Sequence, residues 1–233
     1  MHTLNPIGKI RTPYKEKFAI PRQPSLAPDV ITELHLIDEV NNEATVRELE
    51  QFSHLWLLFL FDQNIDAGWK PTVRPPRLGG NKRVGVFASR STFRPNAIGM
   101  SAVELKEVVV EKGNVVIRLG NVDLVDGTPI IDIKPYIPYS DSIPEAKGGY
   151  AEEAPQSKPV TFSQDALAVL SKEKDAAYKQ TALEQILSQD PRPAYKHDKQ
   201  DLKVYAVQLF DWDVSFQVVE ESIVVTGIKP LCS

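Results

Sequence analysis

The chain has 233 residues, of which 42% are hydrophobic and 25% charged, proportions that exclude a disordered, collagen-like or coiled-coil protein. That length corresponds to about 1.6 typical domains, so one large or two unequal domains are open. Lys plus Arg total 27 and Asp plus Glu 31, a net charge of −4, and a mildly acidic average speaks against a nucleic-acid partner. Four histidines and one cysteine, Cys232, fall at no familiar metal-ligand spacing and permit no internal disulfide. The N-terminus MHTLNPIGKI has no apolar targeting core, and the longest apolar run, Leu55 to Phe61, is far too short to span a membrane. A cytoplasmic protein with neither metal nor membrane is expected.

Taken in chain order, FAIPRQPSLAP comes first, with Arg22 and Gln23 between Pro21 and Pro24. Such a stiff segment loses little entropy on ordering against a ligand, and it equally suits an extended connector. Alternation through Val30–Ile37 predicts a strand, Ala44–Phe52 predicts the one helix of this region, and SHLWLLFLFD predicts an apolar strand. VGVFASR, SAVELKEVVV, VVIRLGNV and PIIDIKPY are short and rich in β-branched residues, so they too read as strands. At least six strands with one helix predict a mainly β N-terminal domain, a closed or nearly closed β-barrel.

Residues 137–159 carry four prolines and a Gly-Gly pair and read as loop or linker. The expected domains are 1–140, a linker at 141–159, and 160–233. In the last, Ala166, Val169 and Leu170, then Leu183, Ile186 and Leu187, recur at helical spacing. Three strand-like segments follow near Leu202–Phe210, Val214–Val219 and Ile223–Ile228, giving a small α+β C-terminal domain.

Charge is unevenly distributed. Residues 67–103 contain no acid and seven bases, Lys70, Arg74, Arg77, Lys82, Arg83, Arg90 and Arg94, leaving −11 on the remainder. The prolines and glycines of KPTVRPPRLGGNKRVG make this a surface loop, either simply solvated or gathered against phosphates. Next, RSTFRPNAIGMS places Arg90 near the end of a predicted strand and Arg94 in a loop, where guanidinium forks can grip a carboxylate or phosphate. Asn96 and Gly99 read as structural.

DLVDGTPIIDIKPYIPYSD holds Asp123, Asp126, Asp132 and Asp141. Without His partners or an EF-hand spacing, the favoured reading is a turn carboxylate that accepts ribose hydroxyls or a proton, not a cation site. Gly127 and Thr128 let the backbone come close to a ligand. DPRPAYKHDK puts Asp190, Arg192 and Tyr195 on a proline-spaced loop. It supplies a ring and charge for unpaired nucleotides, or it ends a helix with Asp190 and Arg192 as a local ion pair. No G-x-G-x-x-G, Walker A, G-x-S-x-G or H-E-x-x-H motif is present, so common nucleotide-binding and hydrolase chemistries have no support.

Six segments in order, PRQP (21–24), FSHLWLLFLFD (52–62), RPPRLGG (74–80), RSTFRPNAIGMS (90–101), LVDGTPIIDIKPY (124–136) and DPRPAY (190–195), resemble the TsaA-like (YaeB) family along the whole chain. The resemblance implies an S-adenosylmethionine-dependent methyltransferase. Its substrate would be N6 of threonylcarbamoyl-adenosine at position 37, beside the anticodon of threonine tRNA. It further implies a single-sheeted antiparallel β-barrel and a homodimer. Cofactor contacts carried over are Gln23, Pro24, Ser25, Phe61, Asp62, Arg90, Met100, Asp126, Gly127, Thr128 and Pro129. Asp126 or Tyr136 would assist proton transfer, and one of Arg74, Arg77, Arg90 and Arg94 would hold the threonyl carboxylate. Asp190, Arg192 and Tyr195 would contact tRNA. The competing expectations are a non-catalytic RNA-binding module and a methyltransferase acting on a small molecule.

Overall fold

The computed structural model describes residues 3–192, 196 and 201–231. Contacts divide the chain into two units that interleave in sequence: Met1–Arg11, Ile31–Val122 and Gly127–Glu153 form the first, while Thr12–Val30, Asp123–Asp126 and Ala154–Ser233 form the second.

In the first unit, buried residues alternate with more exposed ones along β1 (Gly8–Arg11), β2 (Thr32–Leu36), β3 (His54–Leu60), the first half of β6 (Ile98–Glu111) and β7 (Asn114–Leu119), while β8 (Pro129–Pro135) buries only Ile130. This two-residue period sends Leu34, Leu55, Leu57, Val103 and Ile117 inward, where each is essentially inaccessible to water. The order is β1-β2-β7-β6-β3-β8, all neighbours antiparallel. β1 pairs with β2 on one side and β8 on the other, so the ladder returns to its start. Five of the predicted strands are present.

The sixth is not. VGVFASR forms only the last strand of a two-stranded arm, β4 (Thr72–Val73) with β5 (Val84–Gly85), followed by a 3-10 turn at Val86–Ala88. Ser89 is the reason: its amide and its hydroxyl both donate to Val86 O, closing a turn where a strand would present that carbonyl to a neighbour. The helix expected over Ala44–Phe52 is also replaced, by 3-10 turns at Glu43–Val46 and Leu49–Gln51 separated by Glu48 at φ +65°. Thr45 Oγ1 donates to Val40 O and Asn42 O, and Glu50 Oε1 accepts Val108 N. These local bonds outcompete a helix too short to repay its nucleation cost.

β8 leads into a short helix, α1 (Pro138–Asp141). The Asp141 carboxylate accepts Ile137 N and the Trp56 indole N–H, each at 2.9 Å, fastening α1 to the outer face of β3.

The second unit has the mixed sheet β10 (Asp201–Leu209), β11 (Trp212–Val219), β12 (Ser222–Pro230) and β9 (Val160–Phe162), in that order, with β9 parallel to β12. Helices α2 (Gln164–Leu170) and α3 (Ala176–Ser188) lie where the periodicity predicted them. Ser163 caps α2 by accepting Ala166 N at 3.2 Å. The core joins Leu183, Ile186 and Leu187 of α3 to Val214, Phe216 and Val225 of the sheet. It also takes in Tyr14, Ala19, Ala27 and Val30, so the proline-braced N-terminal segment is built into this unit.

Two hydrogen bonds to the ionised form hold the Asp141 carboxyl below the usual carboxylate range, the Ile137 amide contributing most and the Trp56 indole next. A depressed folded-state value means this stabilisation is complete above the ordinary range and is lost as pH falls through the depressed value. In an acid titration the Trp56 indole N–H resonance is therefore expected to shift with a midpoint below the ordinary carboxylate range, and Asp141→Asn should abolish the step. A midpoint within the ordinary range would contradict the assignment.

Candidate functional site

β3 runs antiparallel to both β6 and β8, with Leu60 opposite Ile98 and Phe59 opposite Ile130. The end of β3 therefore lies beside the starts of β6 and β8. Phe61 and Asp62 leave β3 there, Met100 sits two residues into β6, and Gly127, Thr128 and Pro129 lead into β8. Met100 pairs with Leu58 on the outer face and is 54% exposed. Six of the residues predicted from separate segments are thus gathered by strand pairing alone.

The supporting contacts are specific. Phe61 N donates to Ala97 O at 2.7 Å, and the rings of Phe61 and Phe59 meet edge-on with centroids 5.3 Å apart. A Cβ on Gly99 would stand within 2.8 Å of both the Phe59 and the Phe61 ring, so any side chain there would force the rings to move. The turn before β8 is pinned to β1, with Gly127 N donating to Ile10 O at 2.8 Å and Ile10 N to Thr128 O at 3.1 Å. Gly127 has φ +82° and open space where a Cβ would stand, which leaves its backbone approachable. Apolar Met100 and Phe61, the exposed carboxylate of Asp62 and this open backbone suit a molecule with apolar and polar parts.

Between Asp62 and Met100 runs the basic block. Arg77 donates to Glu153 O at 2.5 Å, Arg83 to Thr72 Oγ1 at 3.2 Å, and Arg94 to Ser89 O at 2.8 Å and Val86 O at 3.4 Å. These three spend donors on folding the loop. Arg90 is exposed, following the 3-10 turn and not a strand end. Arg74 and Lys82 are exposed and form no ion pair among the described residues. A surface cleft of about 500 Å³ elsewhere in this unit, lined by Val46, Leu49 and Val108, is rimmed by Glu43, Glu48 and Glu50 with one cation, Arg47. Its charge makes it the wrong cleft for a polyanion.

Other expected site residues are placed differently. Gln23, Pro24 and Ser25 belong to the second unit, where Pro24–Leu26 is a 3-10 turn preceded by Gln23. Asp126 is also assigned there, and its two oxygens accept Thr12 N and Lys15 Nζ, each at 3.0 Å, so each oxygen already carries one hydrogen bond. Tyr136 is at the opposite end of β3, its amide bonded to His54 O and its ring 5.5 Å from that of Trp56. Four residues of strand, about 13 Å, separate the His54 row from the Met100 row.

For DPRPAY the structure shows the ion pair. Arg192 is 1% exposed, its Nε and one terminal nitrogen bonding the two Asp190 oxygens at 2.8 and 2.7 Å, and Lys158 Nζ adds a third contact at 2.8 Å. The Arg192 guanidinium is thus buried and held bidentately within its own unit. Tyr195 lies outside the described residues. Among the described residues no group of three His, Cys, Asp or Glu side chains could hold a metal ion, and no helix is long and apolar enough to cross a membrane.

With this geometry in place, comparison with known proteins is decisive. Residues 9–142 match the tRNA-methyltransferase O N-terminal domain and residues 155–231 the TrmO C-terminal domain. The chain belongs to the TrmO family. It is 52% identical over 226 residues to the tRNA (adenine(37)-N6)-methyltransferase of Escherichia coli K12, covering 96% of each chain. It is 45% identical over 215 residues to a putative S-adenosylmethionine-dependent methyltransferase, RcsF, of Pseudomonas aeruginosa, covering 91% of each. A crystal structure of TrmO from Pseudomonas aeruginosa superposes with a TM-score of 0.79 at 37% identity, covering 98% of both chains.

Two features of this TrmO-family chain were not legible beforehand. The exposed rings of Trp69 and Phe87 were hidden because Phe87 reads as part of a strand; only the glycines and prolines around it signalled otherwise. The Lys15–Asp126 pair joins residues too distant in sequence for any spacing rule.

Gly99→Ala is expected to lower stability by about 1–3 kcal/mol through overpacking against Phe59 and Phe61, read as a lower urea midpoint, and to weaken S-adenosylmethionine binding in calorimetry. An unchanged midpoint would mean the rings yield without cost. Arg192→Met, which removes the bidentate partner of the buried Asp190 carboxylate, should cost about 3–5 kcal/mol. If that variant kept its stability and lost only tRNA affinity, Arg192 would be a tRNA contact after all.

Proposed function

We propose that this chain transfers a methyl group from S-adenosylmethionine to N6 of adenine 37 of tRNA. The substrate nucleoside is read as N6-threonylcarbamoyladenosine, in threonine tRNA. The observation that carries the proposal is the convergence of Phe61, Asp62, Met100 and Gly127–Pro129 at one end of three paired strands, flanked in sequence by the acid-free basic block. We read the returning ladder of six strands as a single-sheeted barrel, residues 160–233 as the tRNA-recognition part, and the working species as a cytoplasmic homodimer, as the family resemblance implies.

The residues fit the proposed cofactor. Phe61 and Met100 offer apolar contact, the Gly127–Thr128 backbone offers close polar approach, and the exposed Asp62 carboxylate can accept hydroxyl or amino protons. Bound there, S-adenosylmethionine supplies an electrophilic methyl on a sulfonium. Because the displacement consumes positive charge, the protein's task is alignment more than charge stabilisation, and a braced strand-end site performs it. An exposed arginine, Arg74 or Arg90, is suited to hold the threonyl carboxylate. N6 within a threonylcarbamoyl group is a ureido N–H, which a carboxylate can polarise. Asp126 is the carboxylate proposed for this, its oxygens each keeping a second lone pair beside the bonds to Thr12 N and Lys15.

The protein incubated with labelled S-adenosylmethionine and total tRNA from a strain lacking it should place one methyl on the position-37 nucleoside, identified by mass spectrometry of anticodon-loop fragments. Cofactor binding by calorimetry without methylation of any tRNA would overturn the tRNA reading in favour of a small-molecule methyltransferase. Absence of cofactor binding would leave an RNA-binding module.

A further inference from the structure

The loop between Asp62 and Met100 contains a cluster that the catalytic reading does not use. Phe87 is 76% exposed and Trp69 54% exposed, in a stretch with seven cations and no acid. Single exposed apolar residues are ordinary. These two are held in one place: Val86 N donates to Pro71 O at 3.0 Å and Lys70 N to Phe93 O at 3.2 Å, so segments 69–71, 86–88 and 93–94 lie side by side.

The turn that carries Phe87 is clamped on every side but its outer one. Val86 is buried at 2% exposure and acts as the anchor beneath it. Ser89 and Arg94 bond Val86 O, Arg94 also bonds Ser89 O, and Tyr150 Oη donates to Ala88 O at 3.0 Å. The Arg94 guanidinium lies 5.8 Å from the Phe87 ring and Lys70 Nζ lies 4.4 Å from the Phe93 ring, so rings and cations are interleaved. The effect of all these bonds is to present a phenyl ring to water on a rigid mount. A planar ring fixed outward in a stretch of seven cations and no acid matches one ligand class: an unpaired nucleobase, which offers a π-face to the ring and a phosphate to the charges.

We propose that Phe87, seconded by Trp69, is a stacking platform for an unpaired base of the substrate RNA loop, with the basic arm around it taking the flanking phosphates. This deepens the tRNA reading above and rests on it. Stacking on the platform would hold the loop open beside the strand ends while the nucleotide to be modified is turned out of its own stack, a requirement of any enzyme that reacts at a base edge. Arg94 is then a positioning residue, since its hydrogen bonds set the angle at which Phe87 is offered.

The test measures binding of an anticodon stem-loop RNA carrying 2-aminopurine in its loop to the full-length protein and to Phe87→Ala, Phe87→Leu and Phe87→Trp. Stacking is worth about 1–3 kcal/mol per base, so Phe87→Ala should raise the Kd about fivefold to 150-fold and abolish 2-aminopurine quenching. Phe87→Leu should be as weak, because an apolar chain without a planar face cannot stack, while Phe87→Trp should bind and quench at least as well as the unsubstituted protein. Cofactor affinity should be the same in all four. Retention of affinity by Phe87→Ala or Phe87→Leu would overturn the proposal. So would a change in sedimentation coefficient accompanying the loss, which would make Phe87 a contact between copies of the chain. If the unsubstituted protein methylates tRNA yet the Phe87 variants bind the loop normally, the platform falls and the catalytic assignment stands; if it binds the loop and stacks but methylates nothing, the reverse holds.

Discussion

The proposed cofactor site depends on one strand having two antiparallel neighbours. β3 pairs with β6 on one side and β8 on the other, so the end of β3 and the beginnings of both partners share one edge of the sheet. Antiparallel pairing allows no other arrangement of those ends. Residues 61–62, 100 and 127–129 become neighbours by hydrogen-bond register, before any side chain is considered. The glycine at 99 is the complement of that register, because a residue without a Cβ lets β6 pass beneath the Phe59–Phe61 pair that closes this end with neither ring displaced.

A second constraint is electrostatic. Seven cations in an acid-free stretch repel one another, and a loop containing them has no internal carboxylate with which to fold. The structure meets this by using backbone carbonyls and a hydroxyl as acceptors: Arg77, Arg83 and Arg94 each tie down a different part of the loop. These bonds stiffen the arm without neutralising it. The result is a rigid and still positive surface that carries exposed rings, while the remaining −11 charges are distributed over the rest of the chain. Averaged charge over the whole molecule conceals this division, which is why a pI near 5.7 is compatible with an RNA substrate.

The second unit shows the same residue types used in the opposite way. Arg192 is as fully withdrawn from water as any aliphatic residue in the core. It can be, because Asp190 matches both prongs of its fork and neutralises it, while Lys158, which also bonds Asp190, keeps part of its side chain in water. Asp190 adopts φ +46°, so the backbone itself is bent to bring the carboxylate around. An arginine in a proline-rich loop is thus no guide to whether it faces solvent; a carboxylate two residues away decides it.

The sequence by itself determined the strand and helix content of the long periodic segments, the position of the basic block and the family. Those properties live in local pattern and in ordered motifs: alternation along β2, an apolar run in β3, β-branched content in β6, β7 and β8, helical spacing along α2 and α3, and six short segments in a fixed order. Tertiary structure alone decided where local patterns compete with outside partners. Ala44–Phe52 has the apolar spacing of a helix, but Glu50 is drawn to β6 and Thr45 to its own turn. Val84–Ser89 has the composition of a strand, but no partner strand faces it past Gly85 and Arg94 takes its carbonyls. Asp126 met Lys15 and Asp141 met Trp56, each choice settled by a hydrogen-bond partner brought within about 3 Å by the fold. Short-range periodicity carries no information about such meetings, and whether a polar side chain serves the fold or the ligand depends on them.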